Sequence, residues 1–406
     1  MNKKKIINDP IYGFVTIPSE IIYDLIEHRY YQRLRRISQL GLTHLVYPGA
    51  LHTRFHHAIG ALNLTNKAVE ILRQKDIEIT EDEAQAVAIA ILLHDVGHGP
   101  FSHALEHSLV PDLMHEEIST IIMDRLNKEF DGKLTLAIDI FNDRYPKKFL
   151  HQLISSQLDM DRLDYLGRDS FYTGVSEGIV GFERIINMLY VKDDELVVEE
   201  KGIYSIEKFI VARRLMYWQV YLHKTVIAAE TTLINILKRA KELSEKGVKL
   251  FATPNLSYFL QNKISKDEFR NGNESIERFT SLDDFDIMAS IKVWKECDDK
   301  VLSLLCTMMT NRRLPKIVIQ KEAFTKQEIT KQKQITAAKL EISEEEAGYF
   351  VYTGNVQNDA YKEDGDSINI YRKDGTVVDI AEASDNYNIR ALENTVTKFY
   401  LCYPKL

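Results

Sequence analysis

The chain has 406 residues, a length typical of two or three domains, and its hydrophobic (45%) and charged (28%) fractions are those of a globular protein. Its three cysteines, Cys297, Cys306 and Cys402, show no CxxC spacing, which argues against a disulfide framework and a cysteine-based zinc site. The net charge of −8 excludes a global attraction for nucleic acid, and no apolar run approaches the roughly 20 residues of a membrane span. We expect a cytoplasmic protein without a membrane partner, since the charged N-terminus lacks the apolar segment of a signal peptide.

The first 245 residues have the apolar periodicity of helices. Apolar residues recur at every third or fourth position in Ile21–Gly41, and a second helical segment runs from Arg54 to about Gln74. Thr80, with Glu83 three residues later, is typical of a capping box that opens a helix ending at His94-Asp95. The pattern predicts further helices near residues 115–130, 147–169, 181–190 and 205–245, and a helix start at Asp283-Asp284.

The composition changes after Pro315. Ile317–Ile319 is β-branched, and residues 367–379 alternate around Asp374-Gly375, which is a good hairpin signal. The fold class is therefore predicted to be mostly α, a helical core with a smaller α+β C-terminal appendage. We expect a core over residues 1–245, a helical extension over 246–310 and the α+β part over 311–406.

Histidines are concentrated around His94-Asp95. Where a helix ends, an adjacent imidazole and carboxylate can both bind one metal ion, and this mixture of ligands suits Mn, Fe, Ni or Zn. Twelve histidines serve the whole chain, yet three of them, His94, His98 and His103, lie within ten residues together with two glycines. The alternative is three separately solvated histidines, which the local concentration disfavours.

Two further segments offer metal ligands and anion-binding groups. Arg54 and His57 are three residues apart and share a helix face, so the imidazole could bind metal while the arginine binds an anionic group. Downstream, Asp161 could complete the metal shell, and Arg162, Tyr165 and Arg168 could meet phosphates and sugar. The alternative is an ordinary charged helix with internal ion pairs, such as Asp164 with Arg168.

His115-Glu116 is a candidate acid–base pair. The carboxylate can hold the orientation of the imidazole, and a histidine near a phosphate can donate a proton to a leaving oxygen. Helix capping or surface solvation is the alternative, and it is favoured if the pair is considered alone.

Together these residues resemble the His-Asp (HD) domain superfamily of phosphohydrolases, since its metal signature H…HD…D matches His57, His94-Asp95 and Asp161. Other segments look like its deoxynucleoside triphosphate triphosphohydrolase branch: Asn8–Gly13, Gln32–Arg35, Gln39–Gly41, Tyr47–Ala50, Arg54–His57 and His94–His103. The resemblance covers residues 6–245 well and the C-terminal third only in layout. It implies an HD-domain helical core that hydrolyses a dNTP to a deoxynucleoside and inorganic triphosphate.

The resemblance also implies a role for each site residue. His57, His94, Asp95 and Asp161 would hold one divalent transition metal (Mn, Fe, Ni or Zn), and Mg could accompany the substrate phosphates. The catalytic residues would be His98 and His115, which act at the α-phosphate, and Glu116, which orients His115. The substrate-binding residues would be Arg54, Arg162, Tyr165 and Arg213 at the triphosphate, Gln39, Leu40, Asp169 and Tyr221 at the sugar, and His103 and His223 near the base.

The partners implied are a nucleoside triphosphate substrate and other copies of the chain, as a homodimer or homotetramer. Gln32 and Arg35 match a guanine-specific activator site of the family, but Glu27 replaces its aspartate, which leaves open whether a regulatory nucleotide binds.

Two rival hypotheses remain. Another HD chemistry, a nucleotide monophosphatase or cyclic-nucleotide phosphodiesterase, would share the metal site without a triphosphate clamp. A nucleotide-sensing or nucleic-acid-binding module with little catalysis is suggested by Arg33, Arg35 and Arg36 and by the C-terminal part, although the complete set of ligands disfavours it.

Overall fold

The computed structural model of the chain describes residues 5–102, 113–358, 361, 367–386 and 395–405. Over these residues the fold is mostly α, as predicted, with helices α1 Glu20–Glu27, α2 Arg29–Gln32, α3 Arg54–Gln74, α4 Glu81–Leu93, α5 His115–Glu129, α6 Thr135–Phe141, α7 Lys148–Gln152, α8 Met160–Thr173, α9 Phe182–Asn187, α10 Ile203–Met216, α11 Lys224–Glu245, α12 Pro254–Gln261, α13 Lys266–Asn271, α14 Asn273–Phe279, α15 Asp284–Trp294, α16 Lys300–Thr310, α17 Lys326–Leu340 and α18 Ile380–Ala383. Short strands accompany them: β1 Ile6–Asp9, β2 Gly13–Thr16, β3 Leu189–Lys192, β4 Glu195–Glu199, β5 Lys316–Gln320, β6 Tyr352–Asn358, β7 Asn369–Tyr371, β8 Val377–Asp379 and β9 Val396–Tyr403.

Helix α4 lies at the centre of the core. Its stretch from Ala86 to Leu93 is apolar and entirely buried, so it packs against neighbours on all sides. The predicted capping box opens it: the Glu83 amide donates to Thr80 Oγ1 (3.2 Å), and the Thr80 amide donates to Glu83 Oε2 (2.8 Å). The helix therefore begins at a defined residue, and its C-terminal end brings His94 to the interior of the protein.

Two long helical segments of the sequence are broken in the structure. The predicted helix over Ile21–Gly41 is interrupted at His28, whose backbone is extended because its imidazole caps α2 by accepting from the Tyr30 amide. A 3-10 turn then ends at Arg36. The predicted helix over 147–169 is divided into α7 and α8, and Asp159 caps α8 by accepting from the Arg162 amide.

Two further helices predicted from the sequence also need correction. The helix predicted over 181–190 ends at Asn187, and strand β3 follows. The helix predicted over 205–245 is interrupted by a π turn at Tyr217–Tyr221, in which the Leu222 amide donates to the Tyr217 carbonyl (2.7 Å). Such turns insert one residue into a helix and change the direction of the side chains that follow it.

The strands form three small sheets, with orders β1-β2, β3-β4-β7-β8 and β5-β9-β6. The hairpin predicted around Asp374-Gly375 is present as β7 and β8. Strand β7 also pairs in parallel with β4, Val198 opposite Ile370, so a C-terminal strand completes a sheet on the helical core. The division at residues 245 and 310 stays a prediction.

No helix in the described ranges combines the length and the apolar character that crossing a bilayer requires.

Helices α3 and α8 approach each other closely at Gly60. A Cβ atom added there would lie 2.0 Å from Asp164 Oδ1 and 2.1 Å from Arg168 Nη2, distances that real Cβ contacts do not reach. Asp164 and Arg168 are both completely buried and form an ion pair, with Arg168 Nε 2.8 Å from Asp164 Oδ2. Glycine is therefore required at position 60 to make room for a buried ion pair.

We expect Gly60→Ala to lower the free energy of unfolding by about 1–3 kcal/mol or more, because the added methyl displaces the ion pair. Gly167→Ala on α8 is the matched control, since a Cβ there meets nothing within 4 Å and alanine favours the helix. Urea denaturation of both variants measures the difference. Equal stabilities for the two variants would contradict the expectation.

Candidate metal centre

His57, His94 and Asp161 bring three potential ligand atoms together. Nε2 of His57 lies 3.3 Å from Nε2 of His94 and 3.0 Å from Oδ1 of Asp161, and the last two atoms are 3.5 Å apart. Ligands at about 2.1 Å from one ion are separated by about 3.0–3.4 Å. All three atoms are therefore spaced as they would be around one divalent ion.

Asp95 borders this group. Its Oδ2 lies 3.6 Å from His57 Nε2, and its Oδ1 lies 3.4 Å from His94 Nε2. The Arg54 guanidinium donates from Nη1 to Asp95 Oδ2 and from Nε to Ser102 Oγ (2.8 Å). The structure thus brings together all four residues that the sequence suggested as ligands, and it pairs one of them with an arginine.

Three elements carry these residues. His57 is in the first turn of α3, His94 caps the C-terminal end of α4, and Asp161 is in the first turn of α8. Nδ1 of His94 lies 2.6 Å from the Ile91 carbonyl, so this contact fixes the ring with Nε2 towards the cluster. Imidazole and carboxylate ligands fit a divalent transition metal, and the choice among Mn, Fe, Ni and Zn remains open.

Burial and hydrogen bonding act in opposite directions on the pKa values of the cluster. Burial lowers the pKa of His57, but contacts with Asp161 and Asp164 outweigh it and raise the value to about 10. Burial raises the pKa of Asp161, but contacts with His57 and His94 lower it below its usual range. Asp161 is therefore ionised and could serve as an anionic ligand, while a metal ion would replace the proton on His57.

Asp164 supports His57 from behind. Its Oδ2 lies 2.8 Å from His57 Nδ1, which leaves Nε2 facing the cluster. Arg168 binds Asp164 and also donates from Nη1 to Asp9 Oδ2 (2.8 Å) in the β1–β2 hairpin. A carboxylate behind a metal-binding imidazole fixes its tautomer and orientation. The sequence suggested that Arg168 could meet phosphates and sugar or form an ordinary helical ion pair with Asp164, whereas the pair is completely buried and holds the candidate ligand His57.

A second group adjoins the first. Asp95, His98 and His115 have nitrogen and oxygen atoms within 4.8 Å of one another, and the two imidazole rings have centroids 3.9 Å apart. Burial, and then the charge of Arg54, lower the pKa of His98 well below its usual range. His115 Nε2 lies 3.4 Å from Glu116 Oε1, and the Glu116 side chain is exposed.

Both groups border one cavity of about 420 Å³, within the range of small-molecule sites. Its lining combines groups from the metal cluster with polar and aromatic side chains, and consists of Gln39, Leu40, Gly41, Thr43, Arg54, Asp95, His98, Phe101, Ser102, His115, Asp161, Arg162, Tyr165, Asp169, Tyr217, Tyr221 and Glu230. A wider groove of about 810 Å³ elsewhere is lined by charges of both signs, but none of its described residues belongs to a potential metal-binding cluster.

Arg162 and Tyr165 line the cavity as the sequence suggested, whereas Arg213 does not line it. Arg162 pairs with the buried carboxylate of Asp159, while Nη1 of Arg213 donates to Gln157 Oε1 (2.8 Å). Arg213 is close enough for its charge to lower the pKa of Tyr165, although burial, the largest effect, raises that pKa well above its usual range.

The predicted sugar contacts also meet in the cavity. Gln39, Leu40, Asp169 and Tyr221 line it together. The Tyr221 hydroxyl donates to Asp169 Oδ2 (2.8 Å), and Asp169 Oδ1 lies 2.7 Å from Nε2 of His52.

Of the two histidines that the sequence suggested near the base, the structure describes His223. His103 lies outside the described residues. His223 does not line the cavity: it caps α11 by accepting from the Thr225 amide (3.2 Å) and borders a separate groove with Trp218 and Lys398.

Sequence reasoning missed several lining residues. Tyr217 could have been found from its spacing to Tyr221, but the π turn that brings both rings to the cavity has no sequence signal. Phe101, Ser102 and Glu230 are placed by tertiary contacts alone.

We expect Asp161→Ala to lose most bound metal, because it removes the anionic ligand while the buried support of His57 stays intact. Asp139→Asn, a half-exposed carboxylate away from the cluster, is the control. Elemental analysis of the purified proteins gives the metal content, and circular dichroism checks the fold. Wild-type metal content in Asp161→Ala would contradict the assignment.

Two models of known protein families match the chain. The model of the HD domain matches residues 54–169, which contain all four candidate ligands, and the model of the HD associated region matches residues 180–253. The crystal structure of a phosphohydrolase from Bacteroides thetaiotaomicron VPI-5482 is 54% identical, with a TM-score of 0.96, and the match covers 99% of this chain and 100% of that one.

Relatives are also found among curated proteins. The protein YwfO of Bacillus subtilis (strain 168) is 36% identical over 321 residues, which are 77% of this chain and 72% of that protein. The deoxynucleoside triphosphate triphosphohydrolase SAMHD1 homolog of Dictyostelium discoideum is 36% identical over 250 residues, which are 60% of this chain and about half (51%) of that protein. With the domain match and the arrangement of the cluster, these similarities show that the chain belongs to the HD-domain family of phosphohydrolases.

Proposed function

We propose that the chain hydrolyses deoxynucleoside triphosphates to a deoxynucleoside and inorganic triphosphate. One observation supports this most. The same cavity is lined by carboxylates of the candidate metal cluster, by two arginines and by the polar side chains that are proposed to bind the sugar. A relative named as a deoxynucleoside triphosphate triphosphohydrolase SAMHD1 homolog is 36% identical over 250 residues.

One divalent transition metal (Mn, Fe, Ni or Zn) would be held by His57, His94, Asp95 and Asp161, and Mg could accompany the phosphates. Such an ion supplies Lewis-acid chemistry, since it lowers the pKa of water and polarises a phosphoryl oxygen. Its charge would also attract the polyphosphate into a cavity that contains four carboxylates.

Arginine side chains would bind the triphosphate. Arg54 and Arg162 border the cavity, and each is held by a carboxylate, which fixes its position before substrate arrives. Among the described residues Arg213 donates to the neutral Gln157 side chain, lies over the Tyr217 ring and has no carboxylate partner, so its charge is available to a phosphate. Tyr165 would add a hydrogen bond from its hydroxyl.

His115 would protonate the departing 5′-oxygen of the deoxynucleoside. It lines the cavity beside His98, and Glu116 contacts its Nε2 and can hold the ring in position. His98, enclosed between Asp95 and His115, would contact the α-phosphate.

The sugar would lie against Gln39, Leu40, Asp169 and Tyr221. The buried Oε1 of Gln39 has no hydrogen-bond partner among the described residues, and the sugar 3′-hydroxyl could donate to it. Tyr221 is fixed by its hydrogen bond to Asp169, which places its ring where a 2′-hydroxyl would need space. We keep His103 as a proposed base contact, whereas His223 borders a separate groove and is not part of the proposal.

We expect the purified protein to release inorganic triphosphate from dNTPs, and Asp161→Ala to release none. Each of the four dNTPs is tested with Mn, Mg, Fe, Ni and Zn, with and without GTP, and products are separated by ion exchange. The Asp139→Asn variant should behave as wild type. Release of monophosphate or pyrophosphate instead would favour another HD nucleotide phosphatase, and binding without any product would favour a sensor.

We expect Arg213→Ala to raise the KM for dNTPs by about 10- to 100-fold, the range for loss of one charge-assisted hydrogen bond. Removal of Arg213 leaves no carboxylate unpaired, so the fold should tolerate it. Arg214→Ala, the next residue of α10, is the control and should leave the KM within about threefold. An equal increase in both variants would show that Arg213 has no specific role at the triphosphate.

A further inference from the structure

The Glu230 side chain of α11 extends into the same cavity. It lies beside the loop that carries Gln39 and Leu40: a Cβ atom added to Gly41 would be 3.4 Å from Glu230 Oε1 and 3.2 Å from the Phe101 carbonyl oxygen. Because this loop is where the sugar is proposed to bind, Glu230 lies where the base attached to that sugar would extend.

Glu230 differs from the other carboxylates of the cavity. Asp95, Asp161 and Asp169 are each paired with arginine, histidine or tyrosine side chains. The carboxyl group of Glu230 makes no hydrogen bond and no ion pair with any residue that the structure describes. It is enclosed by protein yet remains open to the cavity, so a bound ligand can reach it.

No described residue stabilises the fold through a contact with the carboxyl group of Glu230. Burial alone raises the pKa of Glu230 to about 7, and no cation among the described residues opposes it. Its charge also raises the pKa of Tyr400 in the C-terminal sheet, although burial is the larger effect there. An enclosed carboxylate without donors is unfavourable, and a ligand that supplies N–H groups would relieve this cost.

We propose that Glu230 reads the base of the nucleotide and selects guanine. An ionised carboxylate accepts hydrogen bonds through both oxygens, and guanine offers two adjacent donors, N1–H and the N2 amino group. Adenine and cytosine present an amino group beside an acceptor nitrogen, and thymine presents one N–H between two carbonyl groups. The proposal rests on the proposed function, because the phosphates must lie at the metal cluster for the base to reach Glu230.

A competition experiment tests this selection. dGTP, dITP, dATP, dCTP and dTTP are supplied together at equal concentrations, so that any regulatory effect of one nucleotide acts on all of them equally. Relative consumption then gives the ratios of kcat/KM. For the wild type we expect dGTP to be preferred about 10- to 100-fold over dATP and dTTP, and dITP, which lacks the N2 amino group, to be consumed at an intermediate rate.

Variants show whether Glu230 causes the preference. Glu230→Gln should reduce the ratio of dGTP to dATP consumption by about 10- to 100-fold, because the amide replaces one acceptor with a donor. Glu230→Asp keeps the carboxylate and should retain a weaker preference, which keeps the test available if the glutamine variant fails to fold. Glu245→Gln, an exposed residue of the same helix, should leave every ratio unchanged.

Three outcomes would overturn the proposal: no preference for dGTP in the wild type, a preference that survives in Glu230→Gln, or an equal loss for all five nucleotides. If the wild type hydrolyses no dNTP, the proposed function fails separately. Calorimetry with dGTP and dITP then decides the role of Glu230, which requires tighter binding of dGTP than of dITP and loss of that difference in Glu230→Gln.

Discussion

A buried row of alternating charges fixes the position of His57 in the candidate metal cluster. Asp9, Arg168, Asp164 and His57 follow one another at contacts of 2.8 Å, from the N-terminal hairpin to the cluster itself. Isolated buried charges are unfavourable, so each member depends on the next, and removal of one leaves another unpaired at a cost of about 3–5 kcal/mol. The approach of α3 to α8, which Gly60 permits, is what encloses this row. The precision of the candidate cluster therefore comes from a network of charges that does not line the cavity.

The loops of the cavity depend on the helices that follow residue 245. Arg33 is fully buried and donates to the carbonyl oxygens of Val96 and His98, while Asp284 accepts from the Phe101 amide (2.7 Å) and the Ser38 amide (2.8 Å). Helix α15, which begins at Asp284, thus fixes two loops of the cavity at once. Helix α15 therefore supports the cavity although none of its residues lines it.

Local signals made the cluster and most of the helices predictable. A capping box and an apolar run place His94-Asp95 at a helix end. The family motif identifies the two candidate ligands that lie far from this pair in the sequence. The break at His28 could not be predicted from apolar spacing, because a side-chain cap there competes with the periodic pattern. Glu230 has no local signal at all: on an amphipathic helix it looks like a solvent-facing glutamate. Its neighbours Gly41 and Phe101 are about 190 and 130 residues away in sequence, so only the tertiary structure reveals its setting.

The parallel pairing of Val198 with Ile370 can form only late in the synthesis of the chain. Strand β4 leaves the ribosome about 170 residues before β7, a delay of roughly 10–35 s at usual elongation rates. Throughout that interval, while helices α10 to α17 are still being synthesised, the edge of β4 that β7 will cover has no partner, and such edges invite pairing with other chains. Strand β7 therefore covers an edge of β4 that a nascent or truncated protein would expose to aggregation.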